Sequence, residues 1–265
     1  MNKNQIWLAK NYIIYLAKAK TRYKVHSPFV FDLVEKVLKD KTEYPDYRKI
    51  ENYKKRISRS KTVIETVDFG SRADNKPYKE YFEKVGKIVK KRSQSKNQAR
   101  LLYRLSRYFR PGNILEFGTA AGISTAYIKA PVPESKMISM EGCASLAHVA
   151  SGSLKQLKIE NVDISIGNFD VTLPNVLNRF DKLDFVFFDG NHRRKPTLDY
   201  YNRCVELANE NTLFIFDDIH WSPGMEKAWE TIKKDERVGL TIDLFWFGLV
   251  FFRKGIEKQD FIIKY

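Results

Sequence analysis

Asn113-Ile114-Leu115-Glu116-Phe117-Gly118-Thr119-Ala120-Ala121-Gly122-Ile123-Ser124 is the stretch on which the fold turns. Residues 113–117 are apolar, with β-branched and aromatic character, and predict a short buried strand. Gly118 breaks that strand, and Gly122 lets a helix start close behind it, over residues 123–129. A strand, a glycine turn and a helix N-terminus form a ligand cradle of the doubly wound α/β kind. Its glycines admit close backbone approach, and its helix start offers unpaired N–H donors. The spacing is Glu116-x-Gly118-x-x-x-Gly122, unlike the G-x-G-x-x-G loop that wraps a pyrophosphate. An acidic residue in this turn repels phosphates and suits a cationic ligand.

S-adenosylmethionine (SAM) is such a ligand, with an ammonium, a sulfonium and no phosphate. A second strand over residues 137–140 runs into Glu141, where this architecture places an acid for ribose hydroxyls. The expected cofactor contacts are Glu116, Gly118, Thr119, Ala120, Gly122, Ser124, Glu141 and Gly142. The run from Ile114 to Thr125 is similar to the first motif of the class I SAM-dependent methyltransferases, within them the O-methyltransferase branch of catechol and caffeoyl-CoA enzymes. His26-Ser27-Pro28-Phe29-Val30 resembles a bacterial subgroup of that branch, for which the resemblance implies no particular substrate.

The chain has 265 residues, enough for one large domain or a domain with an extension. Cys143 and Cys204 are its only cysteines, so no disulfide framework is expected, and a cytoplasmic setting fits. No apolar run approaches membrane-spanning length. Ala17-Lys18-Ala19 imitates a signal cleavage site, but Lys10 and Asn11 interrupt the apolar run before it, which predicts a helix instead. The net charge of +15 is unevenly placed. Residues 1–110 hold 29 Lys and Arg against 11 Asp and Glu, whereas residues 111–265 hold 18 against 21. That asymmetry suits RNA, acidic lipid headgroups or an acidic substrate, and equally a solvated lysine-rich surface.

In chain order, helices are expected over residues 5–20, 29–38, 46–60, 78–91 and 98–109, with Ser27-Pro28 starting the second. Residues 62–69 read as extended and 70–77 as a loop. From residue 113 strands and helices alternate, with later strands at 163–167, 183–188 and 212–216, a helix near 174–179 and another started by Ser222-Pro223, closing in a hairpin of 240–246 and 249–253. The expected fold is α/β: a doubly wound, Rossmann-like methyltransferase sheet, mostly parallel with its last strand antiparallel. A basic, mainly helical N-terminal extension over residues 1–93 precedes the methyltransferase domain of residues 94–265.

Ligands in such sheets sit beyond the carboxyl ends of the strands. The third strand runs into Gly167-Asn168-Phe169-Asp170, either an adenine edge, with Asn168 and Phe169 as contacts, or a polar turn. The fourth ends in Asp189-Gly190-Asn191-His192 and the fifth in Asp217-Asp218-Ile219-His220. Asp189, Asp217 and Asp218 repel one another unless something cationic sits among them, and oxygen ligation favours Mg²⁺ or Ca²⁺. In the family it resembles, these strands supply two Asp and one Asn to a metal, so Asp218 departs from the pattern. The alternative gives these carboxylates, Asp189 included, to SAM or acceptor contacts. His192 stands where that family carries a Lys, and an imidazole can take a hydroxyl proton; His220 is second choice. Asp189 and His192 are the expected catalytic pair.

The reading is methyl transfer from SAM to an oxygen of a small-molecule acceptor. Two alternatives remain: an RNA methyltransferase that grips tRNA or rRNA through the basic region, and a non-catalytic SAM-fold interaction module. A homodimer is a further expected partner state.

Overall fold

A computed structural model describes residues 3–20, 26–69, 78–255 and 257–265. The loop expected at 70–77 and the residue Val25 lie outside the described residues. The chain divides into two compact units, one made of Met1–Val34 with Phe180–Tyr265, the other of Glu35–Arg179. Helices α1 (Lys3–Lys18) and α2 (Pro28–Leu33) come first. The second starts as its sequence requires, with Pro28 in the first turn and Ser27 Oγ accepting from the Val30 amide at 3.5 Å.

The unit Glu35–Arg179 contains α3 (Pro45–Ile57), β1 (Val63–Asp68), β2 (Lys79–Lys84), α4 (Val85–Arg92) and α5 (Lys96–Phe109). It continues with β3 (Asn113–Phe117), α6 (Ile123–Lys129), β4 (Lys136–Glu141), α7 (Ala144–Leu157), β5 (Val162–Ile166) and α8 (Phe169–Leu177). Strand β4 pairs in parallel with β3 on one side and β5 on the other. The α5 helix starts with a reciprocal Ser95/Gln98 capping box. Its Ser106 hydroxyl donates to the Ile128 carbonyl of α6 at 2.6 Å, fixing one helix against the other.

Two expectations fail here for local reasons. Residues 79–84 are a strand, not the start of a helix, and pair antiparallel with β1. Lys-Glu-Tyr-Phe-Glu-Lys carries no helical apolar stripe; that begins only at Val85, Ile88 and Val89, all buried in α4. Helix α8 starts at Phe169, ahead of the expected residue 174, because Asn168 caps it, leaving Pro174 inside the helix.

The other unit adds β6 (Leu183–Phe188), α9 (Arg194–Cys204), β7 (Ala208–Asp217), α10 (Pro223–Lys234), β8 (Leu240–Asp243), β9 (Phe247–Phe251) and β10 (Gln259–Ile262). Here the strand order is β6-β7-β9-β8-β10. Strand β9 runs antiparallel to both neighbours, whereas β6–β7 and β8–β10 are parallel. Phe188 and Phe216 stack at 4.3 Å between centroids in this core. Gly248 lies so close under the buried Trp229 indole that a Cβ would come within 2.6 Å of it. The sheet is thus mostly parallel with an inserted antiparallel strand, which is the doubly wound class expected from the alternation. Strand β10 has no sequence signal, being four residues of mixed polarity.

Lys129, the last residue of α6, is 1% exposed. Its ammonium donates to the Pro133 carbonyl at 2.8 Å, Val132 at 3.3 Å, Ser135 Oγ at 3.1 Å and the Ser135 carbonyl, fastening the α6–β4 connection. Burial pulls its pKa down to about 8. Lys129→Met should cost about 1–3 kcal/mol in urea unfolding, because these oxygens lose their donor. A lowered lysine pKa means the folded state binds fewer protons than the unfolded one between about pH 8 and 10. The advantage of wild type over Lys129→Met should therefore grow as pH rises through that window.

Candidate active site

The turn after β3 is built on positive backbone angles, with φ 94° at Gly118, 46° at Ala120 and 78° at Gly122. The Gly118 and Thr119 amides both donate to the Met140 carbonyl, at 2.9 and 3.1 Å, which holds the turn against the end of β4. A Cβ on Gly122 would sit 3.3 Å from the Ala150 backbone, so α7 approaches this turn closely. Ala120 is a strained position for a residue with a Cβ. Its amide is anchored by Glu141 Oε2 at 2.8 Å, while Glu141 Oε1 accepts from the Cys143 amide at 2.9 Å. Glu141, at the end of β4, thus joins the loop after β3 to the start of α7.

Glu116 is fully buried at the adjoining strand position. Its Oε2 accepts from Thr125 Oγ1 and from Ser139 Oγ, each at 2.6 Å, and Ser139 also meets Thr119 Oγ1 at 2.6 Å. Oε1 has no hydrogen-bond partner among the described residues, though the nearby Ser124 hydroxyl favours its ionised form. Burial raises the pKa of both acids, and each opposes that rise with its own donors: hydroxyls at Glu116, backbone amides at Glu141. The Glu141 charge raises Glu116 further, and the Arg92 guanidinium favours Glu141 ionisation. Two buried carboxyls in one turn, one with an oxygen left over, suit a positively charged guest.

Gly142 has the Phe69 ring against it, where a Cβ would come within 2.7 Å. Phe69 also lies 5.9 Å from the Tyr78 ring, and Arg92 pairs with Asp68 at 3.1 Å and Tyr81 OH at 2.6 Å. These residues, with Thr125 and Ser139, were not read from the sequence. Phe69 precedes the glycine turn by many residues, and no local pattern links the two. Asn168 Oδ1 accepts from the Asp170 amide at 2.9 Å and so caps α8, while Phe169 meets Phe117 edge-on at 5.7 Å.

The second group of acids belongs to the other unit. Ligand atoms of Asp189, His192 and Asp217 all lie within 4.8 Å of one another. His192 Nε2 is 3.5 Å from Asp189 Oδ1. Asp217 is 4% exposed. Burial, then the charges of Asp218 and Asp189, drive its pKa well above the usual carboxylate range, and it shares a hydrogen bond with Asp189. Asp218 is outside this trio; it turns at φ 56°, with its amide donating to the Trp246 carbonyl at 2.8 Å. Burial raises its pKa and His192 opposes the rise. His220 is engaged elsewhere, its Nε2 2.8 Å from Asp243 Oδ2 and its ring stacked on Phe245. The trio's two carboxylates and imidazole have the spacing of donors around one divalent cation.

Residues 115–219 match a sequence family described as a methyltransferase domain. That match covers less than half of the chain. A catechol O-methyltransferase of Niastella koreensis is 28% identical over 130 residues, which is 48% of this chain and 58% of that protein. An uncharacterized protein of Acanthamoeba polyphaga mimivirus is 26% identical over 95 residues, 35% of this chain and 40% of that one. The chain thus spans about half the length of these curated relatives. Among solved structures, an S-adenosylhomocysteine-bound methyltransferase of Podospora anserina shares the fold at TM-score 0.60 and 13% identity, over 87% of this chain and 98% of that one. A Bacillus cereus O-methyltransferase with the same ligand gives 0.56 and 17%, over 84% and 97%. Glu141→Gln should leave one loop amide facing an NH₂ group in place of an oxygen. Unfolding by urea should show a loss of about 1–3 kcal/mol, with the protein still folded by circular dichroism.

Proposed function

We propose that this protein is a SAM-dependent methyltransferase acting on an oxygen of a small-molecule acceptor. The observation that carries this reading is Glu116 Oε1, a buried carboxylate oxygen left without a hydrogen bond beside a glycine turn. An ammonium would satisfy it; a phosphate would be repelled. Gly118, Thr119, Ala120, Gly122, Ser124, Glu141 and Gly142 are the proposed contacts to SAM, joined by Asn168 and Phe169 for the adenine. The ribose hydroxyls can donate to the lone pairs that Glu141 keeps beyond its two backbone bonds.

The methyl carbon passes in line from the sulfonium to the acceptor oxygen: the C–S bond breaks as the C–O bond forms, and the sulfur keeps the electron pair. The hydroxyl proton must leave, and His192 is the proposed base. Charge is neutralised as a phenolate-like oxygen meets a sulfonium, so holding both in attack geometry away from water supplies most of the rate. Asp189 and Asp217, with Asp218 beside them, are the proposed holders of a Mg²⁺-like or Ca²⁺-like ion, which when bound would lower the acceptor's pKa. Residues 94–265 are the proposed catalytic part and residues 1–93 an extension to it.

Calorimetry with SAM should show binding by wild type that is weakened at least about tenfold by Glu116→Ala, the scale of one charged hydrogen bond. Equal affinity in the two proteins would overturn the assignment of Glu116. Radiolabelled SAM offered with a panel of phenols and catechols should give labelled product. If a metal takes part, chelator abolishes that turnover and Mg²⁺ restores it; full turnover in chelator leaves the aspartates as acceptor contacts.

A further inference from the structure

We propose that α1 seats the protein on an anionic lipid surface, a role separate from the methyl-transfer reading. The helix is held by one face. Tyr15 is buried, its hydroxyl donates to the Ile263 carbonyl at 2.6 Å, and it accepts from the Tyr265 amide at 3.1 Å. The Tyr12 and Tyr15 rings lie 4.8 and 5.3 Å from Phe245, and Asn11 is buried beside them. Those anchors fix which side looks outward.

That outward side is apolar. Ile6 is 56% exposed, Ile13 68% and Leu16 41%, and the exposed Ala9 and Ala17 share their face at helical spacing. Solvated helix faces are ordinarily polar, so a continuous apolar stripe of this length has an occupant. Charge decides which. The helix contains no Asp or Glu; Lys10, beside the stripe, and Lys18 are exposed, and Lys20 follows. A second copy of the same helix packed on the stripe would bring lysine rows together without an acid to balance them. Nucleic acid would leave the isoleucines idle. A membrane surface rich in acidic headgroups satisfies both features, with aliphatic side chains entering the acyl boundary and lysines meeting phosphates. No helix among the described residues is long and apolar enough to cross a membrane, so α1 would lie in the plane of the surface.

The test is co-sedimentation of the full chain with phosphatidylcholine vesicles, with and without about one-third phosphatidylserine. Wild type should partition onto the anionic vesicles, weakly onto neutral ones, and less as salt rises. Ile13→Asp and Lys10→Glu should each reduce partitioning about tenfold. Both positions are exposed, so the melting temperature should stay put, and the second variant guards against misfolding of the first. No partitioning by wild type overturns the proposal, as does undiminished partitioning of both variants. So does a wild-type dimer in light scattering that Ile13→Asp dissociates while vesicles bind neither protein, which would assign the stripe to a second copy.

Discussion

Two carboxyls buried at the ends of neighbouring strands constrain the whole β3–β4 region. Stripping water from Glu116 and Glu141 costs several kcal/mol each unless donors replace it. At Glu116 the replacements are the hydroxyls of Thr125 and Ser139, one from α6 and one from β4. At Glu141 they are the amides of Ala120 and Cys143, one from the turn and one from the start of α7. Glu116 therefore ties β3 to β4 and α6, and Glu141 ties β4 to the turn and to the start of α7. The positive φ values of Gly118, Ala120 and Gly122 are held by this arrangement, so the turn has its shape before any ligand arrives.

Asp189, Asp217 and Asp218 meet the same cost differently. Burial and mutual repulsion push the pKa of Asp217 up, and the nearby imidazole of His192 opposes that rise. Glu116 and Glu141 thus draw donors from the elements around them, while the three aspartates bring like charges together.

The basic excess also divides into working parts. Arg100 is paired with Glu51 at 2.8 Å and with Glu43, Arg104 donates to the Val37 carbonyl at 2.7 Å, and Lys54 to Gln94 at 2.7 Å. These cations hold α3 and α5 in place and are not available to a partner. Exposed lysines such as those of α1 remain. A charge count alone cannot make that distinction, because it does not see which side chains are satisfied internally.

The sequence by itself determined the order of strands and helices from residue 113, the strand–glycine turn–helix unit, the antiparallel insertion near the C-terminus and the starts at Ser27-Pro28 and Ser222-Pro223. All of these are written in local periodicity and in residues whose backbone preferences act over a few positions. Tertiary structure decided the rest. It made residues 79–84 a strand because β1 was there to pair with, and set Phe69 against Gly142 across a gap in sequence with no periodic signal. It committed His220 to Asp243 and drew His192, not Asp218, toward Asp189 and Asp217. Two adjacent aspartates look alike in a sequence; the left-handed turn at Asp218 sends them different ways.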